Sequence, residues 1–366
     1  MIIKEIKLRD FRNYESLDLQ FDPNINILIG NNAQGKTNIL ESIFLSSVGK
    51  SFRTAKDKEM IRFGRDFFVV KVIAEKSGDP LTVEIAVLKD GSKGIKADGV
   101  KLKKTSELLQ HIYCVVFSPE DLKIVKEEPE KRRKFTDKTL SQLYLSYYKV
   151  LCDYKKVLQQ RNALLKNKRY SEFGHIPAVW NEQLATAGAH IMLRRNLFIK
   201  KLAAICEMYH SSITGGSEKS EISYDPDIAV CDDFVSQKEK IIHALSDAEQ
   251  KDQKNGSTSR GPHKDDICIK VNGIDIRKFG SQGQQRTAAL SLKLAELAVM
   301  KEEAGESPIL LLDDVMSELD SFRQNFLIES LKDVQLFITG TELSADVRNA
   351  LEHGKVFSVK NGIVSE

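Results

Sequence analysis

Eight consecutive residues, Gly30-Asn31-Asn32-Ala33-Gln34-Gly35-Lys36-Thr37, fit the pattern GxxxxGK[ST]. Glycines in such a loop let backbone N–H groups turn inward around phosphate oxygens. A helix opening at its end, here with Asn38, adds the positive pole of its dipole. Lys36 is then placed to bridge β- and γ-phosphate oxygens, and Thr37 to offer its hydroxyl to Mg²⁺. The chemistry expected is capture of a nucleoside triphosphate with its metal ion. A second segment supplies the complement: Ile309-Leu310-Leu311-Leu312-Asp313-Asp314 is an apolar strand that ends in two acids. Asp313 is placed to hold Mg²⁺ directly or through water, and Asp314 to orient or deprotonate an attacking water. Four apolar residues before an acid are by themselves often a strand meeting solvent. Downstream of a phosphate loop, the two segments are read together.

These residues need a scaffold, and its elements are legible. The loop follows an apolar strand, Ile25–Ile29, and opens a helix over 38–47. Strands are expected at Ile2–Phe11, 67–74, 81–88 and 111–117, with hairpin turns at Asp90-Gly91 and Asp98-Gly99. Ser118-Pro119-Glu120 reads as a helix start. From 130 to 166 there is no Gly or Pro, and Leu143, Tyr147, Val150, Tyr154, Val157 and Leu158 recur at helical spacing. That predicts one helix about 50 Å long. Phe173-Gly174-His175-Ile176-Pro177 breaks it, a second helix follows over 178–212, and a third over 232–254. The first two read as a helical hairpin, and 255–259 as a flexible break. Beyond it, strands 267–271 and 274–279 flank Asn272-Gly273, a helix covers 284–304, and the strand Ile309–Asp313 is buried. Segments 322–332, 336–339 and 344–351 continue the strand–helix alternation. The fold class expected is α/β, with a mixed sheet and helices. Residues 1–122 and 256–366 would form one discontinuous lobe, and 123–255 a helical insert.

The chain has 366 residues, 41% of them apolar and 29% charged, which excludes a disordered, collagen-like or disulfide-scaffold protein. A net charge of +3 argues, taken whole, against a strongly basic nucleic-acid binder. Its distribution reads differently. Residues 50–104 carry +6 and 121–215 carry +9, whereas 216–259 carry −5 and 260–366 carry −4. Basic blocks of this kind either bind a polyanion or are lysines solvating a helix face. The start shows no apolar signal region, no run approaches the roughly 20 residues of a membrane span, and no membrane partner is expected. Five scattered cysteines without a CxxC pair fit a reducing cytoplasm and no structural zinc. Seven histidines without paired spacing give no metal site, and His263, in a Gly-Pro-His turn, reads as a turn residue before it reads as a base or ligand.

Two further segments carry a likeness to known enzymes. Gly280-Ser281-Gln282-Gly283-Gln284-Gln285-Arg286 resembles the signature loop of ATP-binding-cassette enzymes, in which one subunit's Ser hydroxyl and backbone N–H groups bind the γ-phosphate held by the other. A local reading is compatible: Ser281 caps a helix and Gln284 completes a capping box. Ser317-Glu318-Leu319-Asp320 matches the D-loop of the same enzymes, implying that Ser317 and Asp320 face a partner subunit. Many of those enzymes place a switch His after the next strand. Here the strand end reads Phe337-Ile338-Thr339-Gly340-Thr341, and the second acid is Asp314 instead of the commoner Glu. Both departures imply slow hydrolysis.

Across its whole length the chain resembles the RecF family of bacterial recombination-repair ATPases. The likeness rests on Lys7-Leu8-Arg9-Asp10-Phe11-Arg12-Asn13-Tyr14, on Gly35-Lys36-Thr37-Asn38-Ile39-Leu40-Glu41-Ser42-Ile43, and on Ser118-Pro119-Glu120-Asp121-Leu122 followed by Arg132-Arg133-Lys134-Phe135. Gly261-Pro262-His263-Lys264-Asp265-Asp266, Ser281 to Thr287 and Leu311-Leu312-Asp313-Asp314-Val315 complete it. The resemblance implies a cassette-type ATPase head with a short helical insert. It also implies ATP and Mg²⁺ as ligands, and an ATP-dependent homodimer that clamps gapped or single-strand/double-strand junction DNA with little sequence preference. RecR and RecO as partners, and a role in loading RecA, come with it. Candidate DNA contacts are Lys50, Arg53, Lys56 and Lys58 beyond the first helix, and Lys131, Arg132 and Arg133 in the insert. Arg12 stands near the nucleotide or holds the N-terminal hairpin. Rival readings are the ATPase subunit of a membrane transporter, which would show the switch His and lack the insert, and an ATP-binding scaffold that needs no DNA.

Overall fold

The computed structural model describes residues 1–166, 178–331, 333–341 and 354–366. The chain divides into two compact units, Met1–Leu122 with Glu296–Glu366, and Lys123–Ala295.

The first unit holds two sheets. One is antiparallel, ordered Tyr14–Gln20, Ile2–Phe11, Phe67–Lys76, Asp79–Leu88, Lys93–Ala97, Val100–Lys101. Its long strands alternate buried and open positions, as a one-sided sheet requires. The Asp98-Gly99 turn has both residues at positive φ, the geometry that lets a two-residue hairpin follow the strand twist. The other sheet runs Ile363–Ser365, Lys355–Lys360, Ile25–Ile29, Leu336–Gly340, Ile309–Asp313, Cys114–Phe117, and every pair is parallel except the first. Ile309–Asp313 and Leu336–Gly340 are buried along their whole length, which is why they read as unbroken apolar runs. The helix Lys36–Val48 packs against strands of both sheets, and Ile39, Leu40, Ile43 and Phe44 join one core with Phe11, Phe68, Leu311 and Phe337. The strand expected at 111–117 is shorter, Cys114–Phe117, because a 3₁₀ turn at Thr105–Gln110 delivers the chain to it.

The second unit is helical around a three-stranded antiparallel sheet ordered Ile274–Asp275, Asp266–Val271, Ser220–Asp225. The single helix expected from 130 is two, Pro129–Leu143 and Leu145–Lys166, separated at Tyr144, which is extended (φ −131°, ψ 103°). No Gly or Pro marks that break. A tertiary contact accompanies it: the Arg194 guanidinium lies 4.5 Å from the centroid of the Tyr144 ring. The second long helix is Ala178–Thr214, and the third is divided at Ala248 into Phe234–Asp247 and Glu249–Asn255. Gly256, in left-handed conformation, ends it. The strand expected at 274–279 is only Ile274–Asp275, because Asp275 accepts from the Arg277 N–H and starts a short helix, Ile276–Phe279. The segment expected at 322–332 is the helix Ser321–Glu329. The break at 173–177 and the segment 344–351 lie outside the described residues.

Residues 256–295 were expected with the ATPase lobe, yet they pack with the helical unit. The strand Asp266–Val271 pairs along its length with Ser220–Asp225. Arg195, 4% exposed, bonds both Asp137 (2.9 Å) and Asp265 (3.1 Å), and Tyr147 Oη donates to Asp137 at 2.6 Å. Arg161, fully buried, bonds Asp252 at 2.8 Å and Thr258 at 2.7 Å. Part of the +9 block is therefore internal wiring instead of surface charge.

Candidate functional site

The Gly30–Thr37 loop leaves the end of the strand Ile25–Ile29, at the edge where parallel strands of an α/β sheet gather ligand sites. Both glycines are forced by their surroundings. Gly35 sits at φ +120°, and a Cβ there would come 2.6 Å from Asn13 Nδ2 and Tyr14 Oη. A Cβ on Gly30 would meet the Val359 carbonyl oxygen at 2.2 Å. Asn31, Asn32 and Ala33 face solvent, while Lys36 is 3% exposed and its ammonium donates to the carbonyls of Gly30 and of Asn31, the latter at 3.0 Å. Gln34 is pinned from two sides. Its carbonyl accepts from Asn13 Nδ2 at 2.9 Å and from the Gly362 N–H at 3.2 Å, and its side-chain oxygen from the Asn361 N–H at 2.5 Å.

Asp313 ends its strand two positions across the sheet from the loop's strand, with Leu336–Gly340 between them. Thr37 Oγ1 donates to Asp313 Oδ1 at 2.7 Å, so the two sequence segments, 276 residues apart, meet in one site. Thr339 Oγ1, fully buried, donates to the same oxygen at 3.0 Å and accepts from the Asp314 N–H at 2.9 Å. Burial pushes the Asp313 carboxyl above its ordinary range, and the two threonine hydroxyls oppose that shift. Asp314 is half-buried with φ +54°, and Ser317 Oγ holds its carbonyl at 2.8 Å. A threonine hydroxyl bonded to a carboxylate, at a loop that opens a helix, can hold a divalent cation beside a polyphosphate.

Arg12 does not reach into this loop. Its guanidinium forms a bidentate pair with Glu41 (2.6 and 2.8 Å), a carboxylate with no exposure on the loop's own helix, and its third arm reaches the Glu59 carbonyl at 2.9 Å. These bonds are the ones that the cap reading of Arg12 requires. Glu41 also takes the Ser51 hydroxyl and lies 3.5 Å from Arg53. Arg53 donates to Asn38 Oδ1 at 2.8 Å, and Asn38 donates to Asn13 at 2.7 Å. Nothing in the sequence marks Glu41 as a hub, because its partners come from two separate segments, the turn at Arg12 and the loop holding Ser51 and Arg53.

The signature segment lies in the other compact unit. There Ser281, Gln282 and Gly283 are exposed, and Ser281 and Gln284 exchange backbone-to-side-chain bonds of 3.0 and 3.2 Å, the reciprocal capping box expected of them. Gln284 also donates to Glu218 at 2.9 Å. Asp320 caps the helix Ser321–Glu329, accepting from the Arg323 N–H at 2.9 Å.

Among the basic candidates, Lys50, Arg53, Lys56 and Lys58 are exposed, with Lys56 paired to Glu59 at 3.7 Å. Lys131 is half-buried and pairs with Glu127 at 3.6 Å, and Arg133 donates to the Asp265 carbonyl at 2.6 Å. Arg132 is withdrawn as a DNA contact. It is 2% exposed, bidentate to Asp266 (2.6 and 3.0 Å), and its remaining arm takes the carbonyls of Ile124 and Glu127. His263 is a half-buried turn residue: Nε2 donates to the Thr258 carbonyl at 3.0 Å, so Nδ1 accepts the Tyr154 hydroxyl at 2.6 Å. Burial lowers its pKa to about 4. Among the described residues no cluster of His, Cys, Asp and Glu is able to hold a metal by itself, and no helix is long and apolar enough to cross a membrane.

A family model described as the RecF/RecN/SMC N terminal domain matches residues 2–365. The chain is 46% identical over 364 residues to the DNA replication and repair protein RecF of Alkaliphilus oremlandii, covering 99% of each. It is 45% identical to the protein of that name from Lachnospira eligens, covering 100% of this chain and 99% of the relative. A solved structure described as the recombination mediator protein RecF-ATPrS in the RecFOR pathway superimposes with a TM-score of 0.91 at 40% identity, covering 99% of this chain and 97% of the other. An Smc head bound to the C-winged helix domain of ScpA shares the fold at TM-score 0.58 and 14% identity.

Proposed function

The chain belongs to the RecF family, and from that membership we propose that it is an ATP-dependent DNA-binding protein of recombinational repair. ATP and Mg²⁺ bind at Gly30–Thr37, a homodimer closes over gapped or junction DNA, and slow hydrolysis releases it. The observation that carries the reading is the Thr37–Asp313 contact of 2.7 Å, which joins the phosphate loop to the acid strand.

The residues present fit both ligands. The loop is wrapped so tightly that a Cβ at Gly35 would strike Asn13 and Tyr14, and it opens the helix Lys36–Val48, whose N-terminus favours an anion. Lys36 has two of its three N–H bonds on loop carbonyls, and the third is available to phosphate oxygens. Thr37 gives its proton to Asp313, so the Thr37 hydroxyl and the Asp313 carboxylate are the groups that would hold Mg²⁺. Bound there, the cation would neutralise charge on the phosphates. Asp314 orients the water, and its carboxylate, shorter than Glu by one methylene, holds turnover below about 1 s⁻¹, the low end of enzyme rates. Ser281, Gln282, Gly283 and Gln284 supply the second subunit's contact to the γ-phosphate, and Ser317 and Asp320 the neighbouring one. Lys50, Arg53, Lys56, Lys58, Lys131 and Arg133 contact DNA phosphates, which gives little sequence preference. RecO and RecR are the partners, in keeping with the pathway named for the solved relative. Full-length similarity to repair proteins leaves the transporter reading without support.

Sedimentation in the absence and presence of ATP tests the dimer. A shift from monomer to dimer with ATP is expected, and its loss in Ser281→Arg. A monomer in every nucleotide state at working concentration contradicts it.

A further inference from the structure

The strand Leu336–Gly340 lies between the strand that feeds the phosphate loop and the strand that ends in Asp313. Its Thr339 is fully buried, paired in register with Asp313 on one side and Leu28 on the other. We propose that Thr339 is a positioning residue that sets both acids at once, orienting Asp313 for the metal ion and fixing the backbone of Asp314 so that its carboxylate faces the reacting phosphate. The proposal rests on the nucleotide reading above.

Beyond a long contact of 3.5 Å with the Leu312 carbonyl, the hydroxyl makes two shorter bonds that differ in kind. Its proton goes to Asp313 Oδ1 at 3.0 Å, the oxygen that Thr37 also donates to at 2.7 Å. Two donors on one oxygen fix the carboxylate's rotation and turn its other oxygen out of the protein's bonds. Its lone pair accepts the Asp314 N–H at 2.9 Å. Asp314 needs that anchor, because it holds φ +54°, a conformation that costs a non-glycine residue about 1 kcal/mol or more. Ser317 Oγ grips the other end of the same residue, at its carbonyl, 2.8 Å away. Asp314 is thus clamped at N–H and C=O by two hydroxyls. Its own carboxylate makes no hydrogen bond among the described residues, which leaves it for an outside group. An aliphatic residue at 339 would free the Asp313 rotation and strand a buried N–H. Serine would keep both bonds.

The test uses the full chain with Thr339→Val, Thr339→Ala and Thr339→Ser. A fluorescent ATP analogue is titrated without metal, then Mg²⁺ is titrated into the complex, and single-turnover hydrolysis is followed separately. For Val and Ala the metal-free affinity stays within about threefold of the parent. The Mg²⁺ needed for half-saturation rises about tenfold, and hydrolysis falls about 10- to 100-fold, the scale of an ångström's misplacement. Ser restores both to within about threefold. Thermal denaturation identifies a variant that does not fold, and Ala, with no excess bulk, stands in for Val. A parent chain that fails to bind the analogue overturns the nucleotide reading itself. A parent that binds, with Val or Ala matching it in Mg²⁺ requirement and rate, overturns the role of Thr339 alone. Failure of Ser to rescue does the same.

Discussion

Replacing Arg12 by alanine separates a structural role from a nucleotide contact. Glu41 has no exposure, and Arg12 is its bidentate partner, with 20% of its side chain exposed. Removing one member of a buried pair typically costs about 3–5 kcal/mol, because the other charge is left in low dielectric. Two neighbours soften the loss here: the Ser51 hydroxyl bonds the same carboxylate, and Arg53 stands 3.5 Å away. The lower end, about 3 kcal/mol, is therefore expected. For a unit of this size, 1 kcal/mol moves Tm by about 2–4 °C, so Arg12→Ala should lower the melting of the ATPase unit by about 6–12 °C. Glu41→Gln in the same chain removes the stranded charge, so the double variant should recover more than half of that loss. Calorimetry reads the melting, and analogue binding below the transition reads the site. An Arg12→Ala chain that melts within 2 °C of the parent but binds nucleotide tenfold more weakly would refute the reasoning and return Arg12 to the ligand.

Other outcomes follow from the same contacts. His263 is held neutral with a pKa of about 4 against an ordinary 6.5, so its contribution to the helical unit is full above pH 6.5 and is lost as pH falls toward 4. The loss reaches about 3 kcal/mol, read by urea denaturation at stepped pH, and His263→Gln should flatten the profile. Lys50→Gln, Lys56→Gln and Lys58→Gln together should weaken DNA binding and flatten the slope of log affinity against log salt by about 2–3 for each subunit bound. Arg132→Met should leave that slope unchanged and lower the stability of the helical unit by about 2–3 kcal/mol, read by denaturation, because it unpairs Asp266. Lys36→Arg should abolish ATP-driven dimerisation, checked by sedimentation, while the melting temperature stays within 2 °C.

The loop and the acid strand were readable because each is a short run with its own chemistry, and because a strand buried on both faces must be continuously apolar. Gly35 and Gly30 were likewise legible, since only glycine tolerates the approach of Tyr14 and Val359. What stayed hidden depends on residues far apart in sequence. The break at Tyr144 has no Gly or Pro to mark it and shows itself in the contact with Arg194. The strand Ser220–Asp225 exists only by pairing with Asp266–Val271, and that pairing carries residues 256–295 into the helical unit. Charge counting misplaced Arg132, Arg161 and Arg195, because a count cannot tell a solvated guanidinium from one bonded to a buried carboxylate. Thr339 was visible only as a missing histidine. Its bonds to Asp313 and Asp314 needed coordinates.

The most direct test of the whole account is the equilibrium binding of a gapped duplex, measured by gel shift or anisotropy at fixed salt with and without ATP and Mg²⁺. ATP is expected to strengthen binding at least tenfold in the parent chain, and Lys36→Arg to remove this enhancement and leave the ATP-free affinity in place. Equal affinity in both conditions would contradict an ATP-gated clamp.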